Sequence, residues 1–360
     1  MSSGSGGARC QEGSREGQQY EGLGGVWPLP HSRKVSSARA RGTRATLPTV
    51  VYLGGLGRSG TTLTGRLLAE LPGACSVGEA VHIWQRGVVE QERCGCGRPF
   101  GRCGFWQDIG EAAFGGWERL NVDRVTELRA AVDRNRRIPQ LVSPLKSSRF
   151  KHNLSEYTAS YLRLYSAIRQ VSGCPVVVDS SKHPSLAFCL RWRSELDLRV
   201  IHVVRDSRAV AYSWTRQISR PDSAETSYMA TYPPATAARE WIIHNGAVQL
   251  LARWGVPTLR VRYEDLVADP VSMLTSMARF AGIEVGRGDL SFVGYEDGQW
   301  RTRLKAGHTA SGNPMRFTTG DITISLDEQW HSAMPVIPRR AVTALTLPLL
   351  IQYGYVGRRA

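Results

Sequence analysis

Residues 54–71 read GGLGRSGTTLTGRLLAEL, a glycine-rich stretch followed by a helical one. Gly55, Gly57 and Gly60 allow a tight backbone turn, and Thr61 opens an amphipathic helix that the pattern carries to about Leu71. Such a turn presents converging N–H groups and the positive end of a helix dipole, which is a cradle for phosphate. The spacing from Gly55 to Gly60 fits the pattern G-x-x-x-x-G-K-[ST], but Thr61 stands where the lysine belongs. That lysine serves the β- and γ-phosphates of a triphosphate, so this loop suits a 5′-phosphate without a triphosphate tail. Its cation is Arg58, inside the turn. Only five of the 46 basic residues are lysines, so Lys182, which ends the apolar run VVVDSSK beside His183, draws attention as a candidate cation.

These groups need rigid elements to hold them. From Thr49 onward short β-branched runs alternate with helical stretches: TVVYLG (49–54), CPVVVDS (174–180), LRVIHVVRD (198–206) and PTLRVRYEDL (257–266). Runs this apolar, spaced by helices, are strands buried on both faces of a parallel sheet. The pattern predicts an α/β fold, a doubly wound, mainly parallel sheet with a P-loop-like turn and helices on both faces. Residues 1–47 are rich in Gly, Ser and Arg without hydrophobic period and predict a disordered tail, leaving 48–360 as a single domain. No internal repeat is visible.

The chain has 360 residues, 42% hydrophobic, enough to bury a sizeable core. Its 46 basic and 31 acidic residues give a net charge of +15, which points to a polyanionic partner. No stretch of about eighteen apolar residues exists; the longest candidate, Val342 to Ile351, contains Pro348, which argues against a transmembrane helix. The opening MSSGSGGARC lacks the order of a secretory signal, and seven cysteines without such a signal predict a reducing, cytoplasmic setting for a soluble protein.

The segment Arg58-Ser59-Gly60-Thr61-Thr62-Leu63 resembles the 5′-phosphosulfate loop of sulfotransferases that use 3′-phosphoadenosine-5′-phosphosulfate (PAPS), in the branch with tyrosylprotein, carbohydrate and bacterial enzymes. The cytosolic branch usually has lysine where this chain has Arg58. The resemblance implies that Gly57, Arg58, Ser59, Gly60, Thr61, Thr62 and Leu63 hold the phosphosulfate. It also implies that Arg205 and Ser213, eight residues apart in VVRDSRAVAYSW, hold the 3′-phosphate, with Arg208 in support. GNPMRF (312–317) resembles the C-terminal nucleotide loop of bacterial members and makes Arg316 a further candidate contact; Tyr263, in RYEDL, is a candidate for reaching the adenine.

Sulfuryl transfer needs a base for the acceptor hydroxyl and cations for the departing bridging oxygen. Gly78-Glu79 matches the Gly-Glu that carries the proposed base in the tyrosylprotein and trehalose enzymes. Lys182 is implied to touch the sulfate or bridging oxygen, while His183 sits at the interval of the histidine base of the cytosolic branch. Glu79 is the preferred base and His183 the competitor. Ser180 and Ser181 can donate to the phosphosulfate or cap the following helix. The acceptor is expected to be a hydroxyl of a small molecule or glycan, such as a natural product, in a pocket near Trp84, Phe100, Phe105, Trp106, Phe114 and Trp117, most of them packing residues.

Cys94, Cys96 and Cys103, in CGCGRPFGRCGFW, have the tight spacing of a metal or redox site. A closed zinc site needs four ligands and only distant Cys75 or His82 offers a fourth, so a glycine-rich loop is the preferred reading and no metal is expected. The chief rival function is a P-loop kinase or hydrolase, with Asp179 in PVVVD holding magnesium for ATP. A nucleic-acid binder is disfavoured because the arginines are scattered and no binding motif occurs.

Overall fold

The computed structural model describes residues 47–221, 227–286 and 288–357. Residues 1–46 of the expected tail lie outside the described residues.

Five strands, β1 (Thr49–Gly54), β2 (Ala74–Gly78), β3 (Val176–Lys182), β4 (Asp197–Val204) and β7 (Thr258–Arg262), form one sheet in the order β2-β3-β1-β4-β7. Every pairing is parallel. Alternation along β1 explains why both faces are covered: Val50 and Tyr52 enter one apolar cluster, Val51 and Leu53 the other, and all four are fully buried.

Against one face pack α1 (Thr61–Ala69), α9 (Tyr263–Ala268) and α10 (Pro270–Ala281), through Leu67, Leu68, Leu266, Leu274 and Met277. Against the other lie α2 (Gly104–Phe114), α3 (Val122–Val132), α4 (Ile138–Val142), the long α5 (Ser148–Ser172) and α6 (Pro184–Leu190). The helices α7 (Ser207–Thr215), α8 (Pro234–Arg253), α11 (Trp330–Ala333) and α12 (Val336–Gln352) close that side beyond β4. A two-residue ladder joins β5 (Ser219–Arg220) to β6 (Ser227–Tyr228), and β8 (Val293–Glu296), β9 (Gln299–Leu304) and β10 (Gly320–Ile324) form an antiparallel sheet. No helix among the described residues is long and apolar enough to cross a membrane.

Because β1 sits between β3 and β4, the chain departs from it in two directions, and a crevice opens at the carboxyl ends of these strands. The tail of α1 is locked from the far side: the buried Arg66 guanidinium donates to the carbonyls of Lys305 (2.7 Å), Met315 (3.2 Å), Arg316 (2.9 Å) and Thr318 (2.9 Å).

Candidate active site

A cleft of about 1130 Å³ opens at that crevice. Each central strand delivers a functional candidate to it from its carboxyl end: β1 leads to Arg58, β2 to Glu79, β3 ends on Lys182, β4 leads to Arg205 and β7 to Tyr263. Seven basic side chains line it against three acidic ones, Glu79, Glu240 and Asp327. The site is built for an anion.

The turn after β1 depends on its glycines where the chain has no room. A Cβ on Gly55 would meet the Val203 carbonyl at 2.3 Å, and one on Gly60 would meet the Tyr263 ring at 2.3 Å; both have positive φ. Arg58 itself takes a left-handed φ of 73°. Its guanidinium lies over Trp214, 5.3 Å from the ring centroid, while Trp214 donates from Nε1 to the Gly57 carbonyl at 3.0 Å and stacks on Tyr232. Nε and Nη2 of Arg58 are buried without a hydrogen-bond partner. Burial, reinforced by nearby Arg216, lowers the Arg58 pKa, so an anion there would restore the charged form's environment.

Arg205 forms the second station. It donates to the carbonyls of Arg58 (3.2 Å) and Asp327 (2.9 Å), lies over the Tyr263 ring, and keeps a buried Nε without a partner. Ser213 lines the same wall. Tyr263 is wedged between Gly60 and Arg205, and its hydroxyl donates to the Ser325 carbonyl at 3.3 Å, so it buttresses both stations.

Glu79 and Lys182 form an ion pair inside the cleft. Glu79 precedes a 3-10 turn (Ala80–His82) that runs into a π-helical segment (Ile83–Val89). Its backbone N–H donates to the Ser311 carbonyl, and its Oε2 lies 3.5 Å from His82 Nε2. Lys182 reaches out of β3 through a bulge with φ 65°. His183 faces the cleft edge-on to His82; burial pushes His183 down to about 4, and burial with the charge of Arg86 pushes His82 down to about 2. Both imidazoles are therefore neutral at neutral pH.

Of the expected residues, the cleft gathers Gly57, Arg58, Gly60, Thr61, Thr62, Leu63, Glu79, Lys182, His183, Arg205, Ser213 and Tyr263. Ser59 is fully buried beneath the turn. Arg316 is not among the residues that line the cleft. Its buried guanidinium turns away from the cleft and donates to the carbonyls of Thr309 (2.8 Å) and Arg93 (2.7 Å), while Gly312, Asn313 and Met315 of the same loop line the cleft. Arg208 is paired with Asp206 instead. Ser181 donates to Asp179 and accepts from Val81 N, and Ser180 lines a small neighbouring cavity with Thr62, Arg66 and Gly312.

Asp179 answers the magnesium reading. It is fully buried and accepts from Tyr165 Oη (2.6 Å), Ser181 Oγ (2.5 Å) and Ser181 N (2.8 Å), so it ties β3 to its neighbours and does not face the cleft. The aromatics Trp84, Phe100 and Trp106 are core residues. Residues that reading the sequence missed are Trp214, Arg216, Tyr232 and Asp327, which the long connections of the fold bring to the cleft.

A model of the Sulfotransferase family matches residues 48–287, two thirds of the chain. The chain belongs to the sulfotransferase family. Among solved structures, the sulfotransferase domain of the Synechococcus PCC 7002 olefin synthase is 21% identical, with 88% of this chain and 98% of that one covered and a TM-score of 0.41. The sulfotransferase domain from the curacin biosynthetic pathway is 17% identical, with 84% and 98% covered and a TM-score of 0.45. Sulfotransferase STF9 from Mycobacterium avium is 14% identical, with 85% and 77% covered and a TM-score of 0.41. No match was found among curated proteins. Membership makes this protein a sulfotransferase, an enzyme of sulfuryl transfer that takes a sulfonate donor and a hydroxyl-bearing acceptor.

Proposed function

We propose that this sulfotransferase moves the sulfuryl group of PAPS to a hydroxyl of a small-molecule or glycan acceptor and releases 3′,5′-adenosine bisphosphate (PAP). The observation that carries the reading is the pair Arg58 and Arg205, each with a buried donor nitrogen that lacks a partner and each fixed at a different strand end of one cleft. A donor with a 5′-phosphosulfate and a 3′-phosphate has one anion for each.

In the proposed step the acceptor oxygen attacks sulfur in line with the bridging oxygen. An S–O bond forms, the bond from sulfur to the bridging oxygen breaks, and its electron pair stays on the 5′-phosphate of PAP. Glu79 takes the hydroxyl proton. Lys182 and Arg58 meet the charge on the departing oxygen, which requires Lys182 to move from Glu79 toward the donor. Burial disfavours His183 for the proton, because an imidazole gains a charge on protonation. Trp214, Tyr232 and Met229 give the outer cleft an apolar wall for the acceptor. The domain runs from 48 to 360, and six unbridged thiols among the described residues fit a reducing cytoplasm.

Thermal unfolding in PAP without divalent metal, set against ATP with magnesium, tests the reading. PAP is expected to raise the melting temperature and ATP with magnesium to leave it unchanged. Protection by ATP with magnesium and none by PAP would overturn the proposal.

A further inference from the structure

Away from the cleft, three thiols and an imidazole converge. Cys94, Cys96 and Cys103 meet His308, and their four donor atoms all lie within 4.8 Å of one another. Sγ of Cys103 is 3.7 Å from Sγ of Cys94 and 3.7 Å from Sγ of Cys96, while Nδ1 of His308 is 3.3 Å from Cys103 Sγ and 3.8 Å from Cys94 Sγ. A tetrahedral zinc with Zn–S of about 2.3 Å and Zn–N of about 2.0–2.1 Å has edges of about 3.8 Å between sulfurs and about 3.5 Å between sulfur and nitrogen. The two S–S separations of 3.7 Å fall just short of that edge, and the S–N separations of 3.3 and 3.8 Å lie on either side of theirs. A disulfide, by contrast, brings two sulfurs to about 2.05 Å and leaves a third thiol over.

The surroundings are built for this arrangement. Cys94 N donates to Arg98 O and Gly97 N to Cys94 O, both at 2.8 Å, a tight turn that carries the sulfurs of Cys94 and Cys96 toward one point. Gly95 lets the fourth ligand's loop approach: a Cβ there would meet Thr309 Oγ1 at 2.5 Å and the Gly307 carbonyl at 2.7 Å. Cys103 stands at the N-terminus of α2, which fixes where its sulfur enters the cluster. The His308 ring is held by stacking on Phe105, with centroids 4.7 Å apart. Cys94 and Cys103 are buried, so the cluster is a closed site of structural type.

We propose that Cys94, Cys96, Cys103 and His308 bind one structural zinc ion. The three thiols lose their protons on binding, and the ion closes its shell with no position left for substrate. The ion pins the loop 307–313 to the segment before α2. That loop reaches the cleft: Ala310 N donates to Val77 O, Ser311 O accepts from Glu79 N, Ser311 Oγ accepts from Arg86, and Gly312 lies against the Glu79 carboxyl. The metal therefore supports the backing of Glu79 without touching the reaction.

The test is metal content of the full chain, purified in reductant without chelator or metal-affinity resin. Elemental analysis is expected to give about one zinc per chain, falling below about 0.2 in the Cys96→Ser/Cys103→Ser double variant and unchanged in Cys75→Ser. Should the double variant not fold, wild-type protein stripped by chelator and given Co²⁺ decides: the strong visible absorption of tetrahedral thiolate-ligated cobalt is expected, and Zn²⁺ should bleach it. Wild-type protein with less than about 0.2 zinc and no such absorption would overturn the proposal. So would stoichiometric zinc retained in the double variant, or a Cys94–Cys103 disulfide found by mass spectrometry in freshly purified protein.

Discussion

Replacing Arg205 by alanine separates recognition of the 3′-phosphate from support of the loop around Arg58. A guanidinium has five N–H donors. In Arg205 one Nη1 donor goes to the Arg58 carbonyl at 3.2 Å and one Nη2 donor to the Asp327 carbonyl at 2.9 Å, while Nε–H has no partner. A 3′-phosphate can take one or two of the remaining donors as charge-assisted bonds worth about 1.5–3 kcal/mol each. Some of that is recovered by Arg216, which already lies 3.7 Å from Asp327 and is freed to shift. A net loss of about 2–3 kcal/mol weakens PAP by about 30–150-fold. Adenosine 5′-phosphosulfate lacks the 3′-phosphate and loses only the support that Arg205 gives the Arg58 turn. One neutral acceptor's bond is worth about 0.5–1.5 kcal/mol, or about 2–10-fold. Calorimetric titration of both ligands into both proteins, at one salt concentration, reads the two ratios. Equal losses for the two ligands would refute the assignment and reduce Arg205 to a brace for the turn.

Glu79→Gln should lower turnover by about 100-fold or more while PAP affinity stays near wild type, because the amide keeps the shape and cannot take the proton; near-normal turnover, with His183→Ala inactive, would move the base to His183. Gly60→Ala should lose nucleotide protection and unfold several degrees lower, since a left-handed alanine costs about 1–2 kcal/mol before its Cβ displaces the Tyr263 ring; wild-type melting and PAP binding would show that the turn relaxes. His202 is buried on Asn245 and burial pushes it down to about 4, so the unfolded chain, with histidine near 6.5, takes the proton first. Its neutral-state stability is present above about pH 6.5 and fades, by about 3 kcal/mol in total, as the pH falls toward 4. Denaturant titrations across that range should show a shallower pH slope for His202→Gln; an unchanged slope would remove His202 from the account.

Four of the five central strands were legible because burial on both faces forces unbroken apolar runs: TVVYLG, CPVVVDS and LRVIHVVRD fall on β1, β3 and β4 with small shifts at their ends, while PTLRVRYEDL runs from β7 into α9. The residues of the cleft were legible from the glycine-rich turn and the family resemblance, and the sheet explains why they meet. Once strand ends are known, a parallel sheet brings them to one edge, so Arg58, Glu79, Lys182, Arg205 and Tyr263 meet although they span the chain from 58 to 263. Direction within a loop was not legible. Arg316 is one residue from Met315, which lines the cleft, yet its side chain turns inward to two carbonyls, a choice made by packing and not by spacing. Partners at great separation were hidden as well. His308 stands 205 residues from Cys103, and neither periodicity nor motif links them. Trp214, one position after Ser213, carried no chemical signal of its own until its indole N–H was seen to hold the Gly57 carbonyl.

The four carbonyls around Arg66 bear on how far this enzyme can be cut or recombined. The stretch that carries the family's likeness ends at residue 287, but the acceptors of that buried guanidinium come from residues 305–318. A fragment ending at 287 would lose all four of those acceptors, and hydrogen bonds to a charged group are worth about 1.5–3 kcal/mol each, a large share of the stability of an ordinary domain. The helix so destabilised is the one whose first turn, Thr61 to Leu63, lines the cleft. The glycine-rich loop is therefore no portable cassette: grafted into a relative, or trimmed to the stretch that matches the family, it would need its distant C-terminal clasp to travel with it.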